Sequence, residues 1–225
     1  MNAIHRFAVA VLVAVLGAGL SGCVTSFPSV APDLPEDVRS QPAFQEMQRI
    51  PVYVTRPTYY DASNIMEIAE KSRKDNRKID SFMKEFPVLP NPPASLTTSG
   101  AKLVVGIKTT LVGMGFRVVD EPCETCLIVI PDYAEHLQLR KVIFGDEKRT
   151  FIFASARLYY RNQEIAAASS DMVQSWLTGP IALSVPGRGF DDTIYAEAGN
   201  KTKEIIKKSY SSIVSWKQQF SAVQQ

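Results

Sequence analysis

Cys123 and Cys126 are the residues whose type and spacing could most directly do chemistry. A Cys-x-x-Cys pair can hold a redox-active disulfide or half of a metal site. Redox activation needs a lowered thiol pKa, which a helix N-terminus supplies. Cys123-Glu-Thr-Cys126 instead lies between two strand-like runs, after Pro122, with no helical pattern behind it. A tetrahedral zinc site needs four ligands. Cys123, Cys126 and His136, with Asp132 or Glu135, could gather into such a set. The expectation is a local structural disulfide. A bridge over so short a loop stabilises less than a long-range one in the chain-entropy model, and mainly fixes the turn. A thiol-redox or metal-binding protein using Cys123 and Cys126 stays as the alternative.

Other constellations are weaker. No Gly-x-Ser-x-Gly elbow and no His-Glu-x-x-His occurs. Asp191-Asp192 could be paired carboxylates, but the expectation is helix capping. Gly187-Arg188-Gly189 lacks the lysine and spacing of a phosphate loop and reads as a turn. Tyr59-Tyr60 and Tyr159-Tyr160 could stack on a glycan or a protein. In a strand, such pairs more often supply core on one face and cross-strand contacts on the other. The loop 178–189 (TGPIALSVPGRG) displays Ile181 and Leu183 with Arg188, a candidate partner contact. No catalytic residue, no metal and no cofactor are expected, and the chain is not expected to be an enzyme.

The elements that must position these residues follow from periodicity. The run 24–48 carries Pro28, Pro32, Pro35 and Pro42 with weak apolar pattern, and predicts an extended tether. The run 50–55 (IPVYVT) predicts a strand. Residues 61–86 predict a helix, with Asn64 and Glu67 at capping-box spacing and apolar clusters at Ile65, Ile68, Ala69 and at Ile79, Phe82, Met83, Phe86. Its basic stretch 71–78 could meet anionic lipid or an acidic partner; a solvated helical face is the expectation. Pro87, Pro90, Pro92 and Pro93 end it. Residues 99–114 predict a second helix with Leu103, Ile107, Leu111 and Met114 on one face, ended by Gly115 in a left-handed conformation. Short strands follow at 116–119 and 126–130, and Pro131-Asp132 limit the second or mark a bulge or sheet edge. Residues 138–148 read as a polar excursion. A hairpin is expected from 149–160 and 164–176, turning at Asn162-Gln163. The last helix is predicted over 193–218, with Ile194, Ala198, Ile205, Tyr210, Ile213 and Val214 on its apolar stripe. The sum is one α+β domain over 49–220: two layers, a mainly antiparallel sheet packed by about three helices.

The first residues are an address rather than structure. The run 7–20 (FAVAVLVAVLGAGL) is uncharged and shorter than the roughly 20 residues that cross a bilayer as a helix. Leu20-Ser21-Gly22-Cys23 follows it and resembles the lipobox of bacterial lipoproteins. That resemblance implies a signal peptide over 1–22, lipid on Cys23, and a membrane anchor facing the periplasm from 23 onward. Several acyl chains make such anchoring stable. Val24 stands where an Asp would imply inner-membrane retention, so the resemblance favours the outer membrane, with inner membrane or cell surface as lesser choices. A formal net charge of +2 gives no electrostatic case for nucleic acid.

The mature chain carries a second resemblance. GAKLVVGIKTTLVGMGFRVVD (100–120), then CLIVIPDY (126–133), then a long hairpin, is similar in outline to small envelope lipoproteins of the curli-secretion and penicillin-binding-protein-activator type. The resemblance implies a protein-binding or assembly factor of an outer-membrane or secretion complex, with an envelope protein as partner. A homo-oligomer is compatible with it. A cell-wall or glycan-binding lipoprotein is the further alternative.

Overall fold

The computed structural model describes residues 34, 36–65, 67–68, 86–142, 145–168, 171–178 and 190–223. Four helices are present among them: α1 (Glu36–Arg39), α2 (Pro42–Gln48), α3 (Ala94–Gly113) and α4 (Phe190–Val223). The strands are β1 (Val52–Val54), β2 (Thr58–Tyr59), β3 (Val118–Val119), β4 (Leu127–Val142), β5 (Gly145–Tyr160), β6 (Gln163–Ala167) and β7 (Asp171–Thr178). They form one seven-stranded sheet in the order β3-β1-β4-β5-β6, with β2 on β4 and β7 on β5. The expected α+β class holds. The pairs of β4, β5, β6 and β7 are antiparallel, while β1 and β2 run parallel to their neighbours. None of the helices in the described residues is long and apolar enough to cross a membrane.

Strand alternation sorts the sheet into two faces. Leu127, Val129 and Tyr133 of β4, with Ile152, Ala154, Ala156 and Leu158 of β5, share a core with α3 and α4. The opposite face carries Ala134, Phe151 and Phe153, packed by Tyr60, Ala62, Ile65 and Phe86. In α3 the predicted stripe is the buried one: Leu103, Ile107 and Leu111 are fully buried and Gly115 has φ +86°. Gly106 lets α3 approach α4, because a Cβ there would stand 2.6 Å from the Cβ of Ala198. In α4, Ile194, Ala198 and Ile205 are buried as predicted, joined by Ile206.

Several boundaries differ from the sequence reading. The tether does not extend to 48: Leu34, Val38, Phe44 and Met47 belong to the main core, and α2 begins at Pro42. Proline is tolerated at the first helical position because its missing N–H is one of the unbonded donors there anyway. The second difference is that Pro131 does not limit β4. Val129 and Tyr133 point their carbonyls outward, accepting from Thr55 (2.9 Å) and Tyr60 (3.1 Å). Pro131 therefore turns its missing N–H to the same side, at the gap between β1 and β2, and the ladder to β5 continues through it. The third is that the polar excursion 138–148 is the end of the β4–β5 hairpin, paired to Val142–Gly145. The turn after β5 centres on Arg161 (φ 46°) and Asn162 (φ 66°), not on Asn162-Gln163. Two left-handed residues make the type I′ turn that matches strand twist. The predicted partner strand 164–176 is two segments, β6 and β7, on different lengths of β5. Of the helix predicted over 61–86, residues 65, 67 and 68 are helical; the basic stretch 71–78 lies outside the described residues.

Candidate functional site

The cysteine pair is closed. Cys123 and Cys126 form a disulfide with Cα atoms 5.1 Å apart, and the Cys126 N–H donates to the Cys123 carbonyl at 3.1 Å. Cys126 is buried and Cys123 exposed, at the turn between β3 and β4. The helix that would activate a thiol is missing, since β4 begins at the next residue. His136, Asp132 and Glu135 lie farther along β4 and are not brought to the sulfurs. Among the described residues no group of three His, Cys, Asp or Glu side chains is placed to hold a metal ion.

Asp132 has a different role from the ligand considered for it. It is fully buried and accepts hydrogen bonds from four donor groups on three side chains. Arg157 Nε reaches Oδ2 at 3.2 Å and Nη2 reaches Oδ1 at 3.0 Å. Ser155 Oγ donates to Oδ2 at 3.1 Å and the Tyr60 hydroxyl to Oδ1 at 3.2 Å. The network runs outward from Arg157 Nη1 to the Tyr159 hydroxyl (3.1 Å), and from there to Glu164 Oε2 (2.8 Å). Burial pushes the Asp132 carboxyl above its ordinary value, and Arg157, Ser155 and Tyr60 pull it part of the way back. Burial and the neighbouring carboxylate push Tyr60 up to about 12, so it is a donor at neutral pH. Each Asp132 oxygen accepts from two donors within the protein, which is the pattern of a structural ion pair.

Among the described residues a cleft of about 970 Å³ opens between β1, the 55–59 segment, the proline-rich 88–92 segment and α3. Thr97, Ala101, Val104, Val105 and Lys108 line it from one helical face, at the i, i+4, i+7, i+8 and i+11 spacing of a single stripe. Tyr53 and Tyr59 line it from the sheet, and Val88, Leu89, Pro90 and Pro92 form the facing wall. Tyr59 lies against α3 because Gly100 leaves room: a Cβ there would meet its ring at 2.6 Å. Its hydroxyl donates to the Thr97 carbonyl at 3.5 Å. Lys108 is bound to Asp120 at 3.1 Å on the rim. Val88 (54%) and Val105 (51%) are strongly exposed, and Val112 (60%) continues the valine stripe two turns along α3. Its walls are largely apolar with a few polar groups, the character of ligand-binding pockets.

The remaining sequence candidates fall elsewhere. Ile181, Leu183, Arg188 and Cys23 lie outside the described residues. Asp191 and Asp192 are not caps but lie in the first turn of α4, where their charge suits the helix dipole, and Asp191 binds Lys102 at 2.6 Å. Tyr160 is core and Tyr159 is on the opposite face, as strand alternation requires. Sequence reasoning missed the cleft because its walls are far apart in the chain. The signal available was the spacing of Ala101, Val104, Val105 and Lys108 beside the buried stripe of α3. The chain matches no protein-family model and no curated protein.

Proposed function

We propose that this chain is a non-catalytic envelope lipoprotein, held by lipid on Cys23 at the periplasmic side of the outer membrane, that binds a protein partner through the cleft beside α3. The observation that carries the reading is the lining of that cleft: tyrosines, prolines and exposed valines, with charge confined to Arg56 and the Lys108–Asp120 ion pair. Aromatic-lined grooves dock proline-rich segments, whose extended backbone is already close to its bound conformation. Ile181, Leu183 and Arg188 are a second contact suggested by sequence alone. The lipobox reading adds the reason for a partner: a tethered domain acts by holding something at a surface.

Two experiments test the two halves. Cys23→Ser is expected to move the protein from the membrane fraction to the soluble periplasmic fraction and to abolish palmitate labelling; unchanged membrane association would remove the anchor. A photo-crosslinker at Val105 in the lipidated protein, in its own membrane, is expected to give one discrete protein adduct. Ala101→Arg should reduce that adduct at least about tenfold, as truncating a central anchor does, with the circular dichroism spectrum unchanged. An adduct insensitive to Ala101→Arg, or none, would end the cleft reading.

A further inference from the structure

A second surface shares no residue with the cleft. On its outer side β4 is covered by β1 as far as Val129 and by β2 as far as Tyr133. Beyond Tyr133, among the described residues, no strand pairs with that side, although β4 continues to Val142 in unbroken register with β5. Val129 and Tyr133 send their carbonyls outward, so the same alternation turns the N–H and C=O groups of Glu135, Leu137, Leu139 and Lys141 to the open edge. Leu137 is 53% exposed and Leu139 65%. Soluble proteins blunt such edges with proline, bulges, short length, charged side chains or a covering element. No proline or bulge interrupts 134–142, and the charges that point their backbone to the edge, Glu135 and Lys141, are of opposite sign.

We propose that this edge pairs with the same edge of a second copy, antiparallel, about a two-fold axis at Gln138. The sequence Ala134-Glu-His-Leu-Gln-Leu-Arg-Lys-Val142 is self-complementary in that register. Leu137 falls opposite Leu139 of the second copy, and Glu135 opposite Lys141. Each of these residues points its backbone to the open edge, so they meet as hydrogen-bonded pairs. Glu135 is already held on its face by the Tyr133 hydroxyl at 2.9 Å. Moving the axis to Leu137 sets Glu135 against leucine, and moving it to Leu139 sets Lys141 against leucine. Parallel, in-register pairing sets Glu135 beside Glu135 and Lys141 beside Lys141, which is repulsive. Only the Gln138 axis matches both charge and apolar surface. It would join two sheets into one continuous sheet across the dimer, an isologous contact.

The register predicts its own test in the full-length lipidated protein in its membrane. Gln138→Cys places two thiols at the axis, in a non-hydrogen-bonded pair with Cα atoms about 4.5 Å apart, within disulfide reach. Cys123 and Cys126 are bridged to each other and do not compete. Mild oxidation is expected to give a covalent dimer in most molecules. His136→Cys alone should not self-crosslink, its two copies standing about 13 Å apart along the strands, whereas chains carrying His136→Cys mixed with chains carrying Arg140→Cys should. Lys141→Glu is expected to cut the Gln138→Cys dimer about tenfold, and Glu135→Lys added to the same chain to restore it. A Gln138→Cys yield no higher than that of His136→Cys would overturn the proposal. So would a Gln138→Cys adduct to a different protein, which would assign the edge to a foreign strand.

Discussion

Replacing Asp132 by alanine is expected to lower the unfolding free energy by about 3–5 kcal/mol, the cost of leaving a buried charge without its partner. Arg157 is the group left behind. Its side chain is 21% exposed, so water screens the stranded charge only in part. Ser155 and Tyr60, both nearly fully buried, each lose one hydrogen bond in the same step. Asparagine should recover little. Each carboxylate oxygen accepts from one guanidinium nitrogen and one hydroxyl. An amide NH₂ in either place faces a guanidinium donor, and arginine has no acceptor to offer it. Replacing the pair together, Asp132→Leu with Arg157→Met, should recover most of the loss, because the intact pair also carries the desolvation cost of two charges. Urea unfolding followed by circular dichroism measures all three. A loss below about 1 kcal/mol for Asp132→Ala would mean that the network is not closed in solution.

The same site fixes a sign for pH. Burial holds the Asp132 carboxyl above its ordinary value, so as pH falls the folded chain takes up this proton before the unfolded chain does. Through this group, stability rises as pH falls through the folded value towards the ordinary one, and is lost as pH climbs back. Urea unfolding across that pH range should show the rise in the parent and not in the Asp132 variants.

What could be read from the sequence was what repeats at a fixed period. Leu103, Ile107 and Leu111 recur on one helical face, and Gly115 follows them, so α3 and its end were visible. Phe151 to Tyr160 alternate, so the central strand was visible. The Asp132 network was not, because Pro131-Asp132 read locally as the end of a strand. Its pairing partners Ser155 and Arg157 sit in another strand, and the register that sets Asp132 opposite Ser155 is a tertiary fact. Two polar residues at alternate positions inside the apolar run FIFASARLYY were the trace it left: both lie on one face and need a partner there. The length of β4 was hidden for the opposite reason. Beyond Tyr133 the hairpin outruns the strand that covers its outer edge, so its residues need not alternate between core and solvent, and the pattern that marks a strand fades. Four prolines hid the small helices before β1, although Leu34 with Val38 and Phe44 with Met47 stood at i, i+4 and i, i+3 spacing.

That last misreading sets the second large effect. Phe44→Ala is expected to cost about 3–5 kcal/mol, as a core residue would and a tether residue would not. Phe44 is 1% exposed and meets the ring of Phe116 edge-on, centroids 5.8 Å apart. Met47 is fully buried, and the Ser209 hydroxyl of α4 lies 3.5 Å from its sulfur. Gln48 Nε2 donates to the Met114 carbonyl at 2.6 Å, occupying an acceptor at the open C-terminal end of α3. α2 thus closes the end of the helical layer, where α3 gives way to β3. A Phe44→Ala variant within about 1 kcal/mol of the parent would return 34–48 to the tether. The outcome matters for function on the proposed anchoring. If Leu34 is the first core residue, the chain from Cys23 to the domain can reach at most about 40 Å when fully extended, instead of about 90 Å to residue 48. A reach that short confines the cleft and the β4 edge to a layer next to the membrane. Partners must then be found there, and a second copy anchored in the same membrane is already concentrated in that layer.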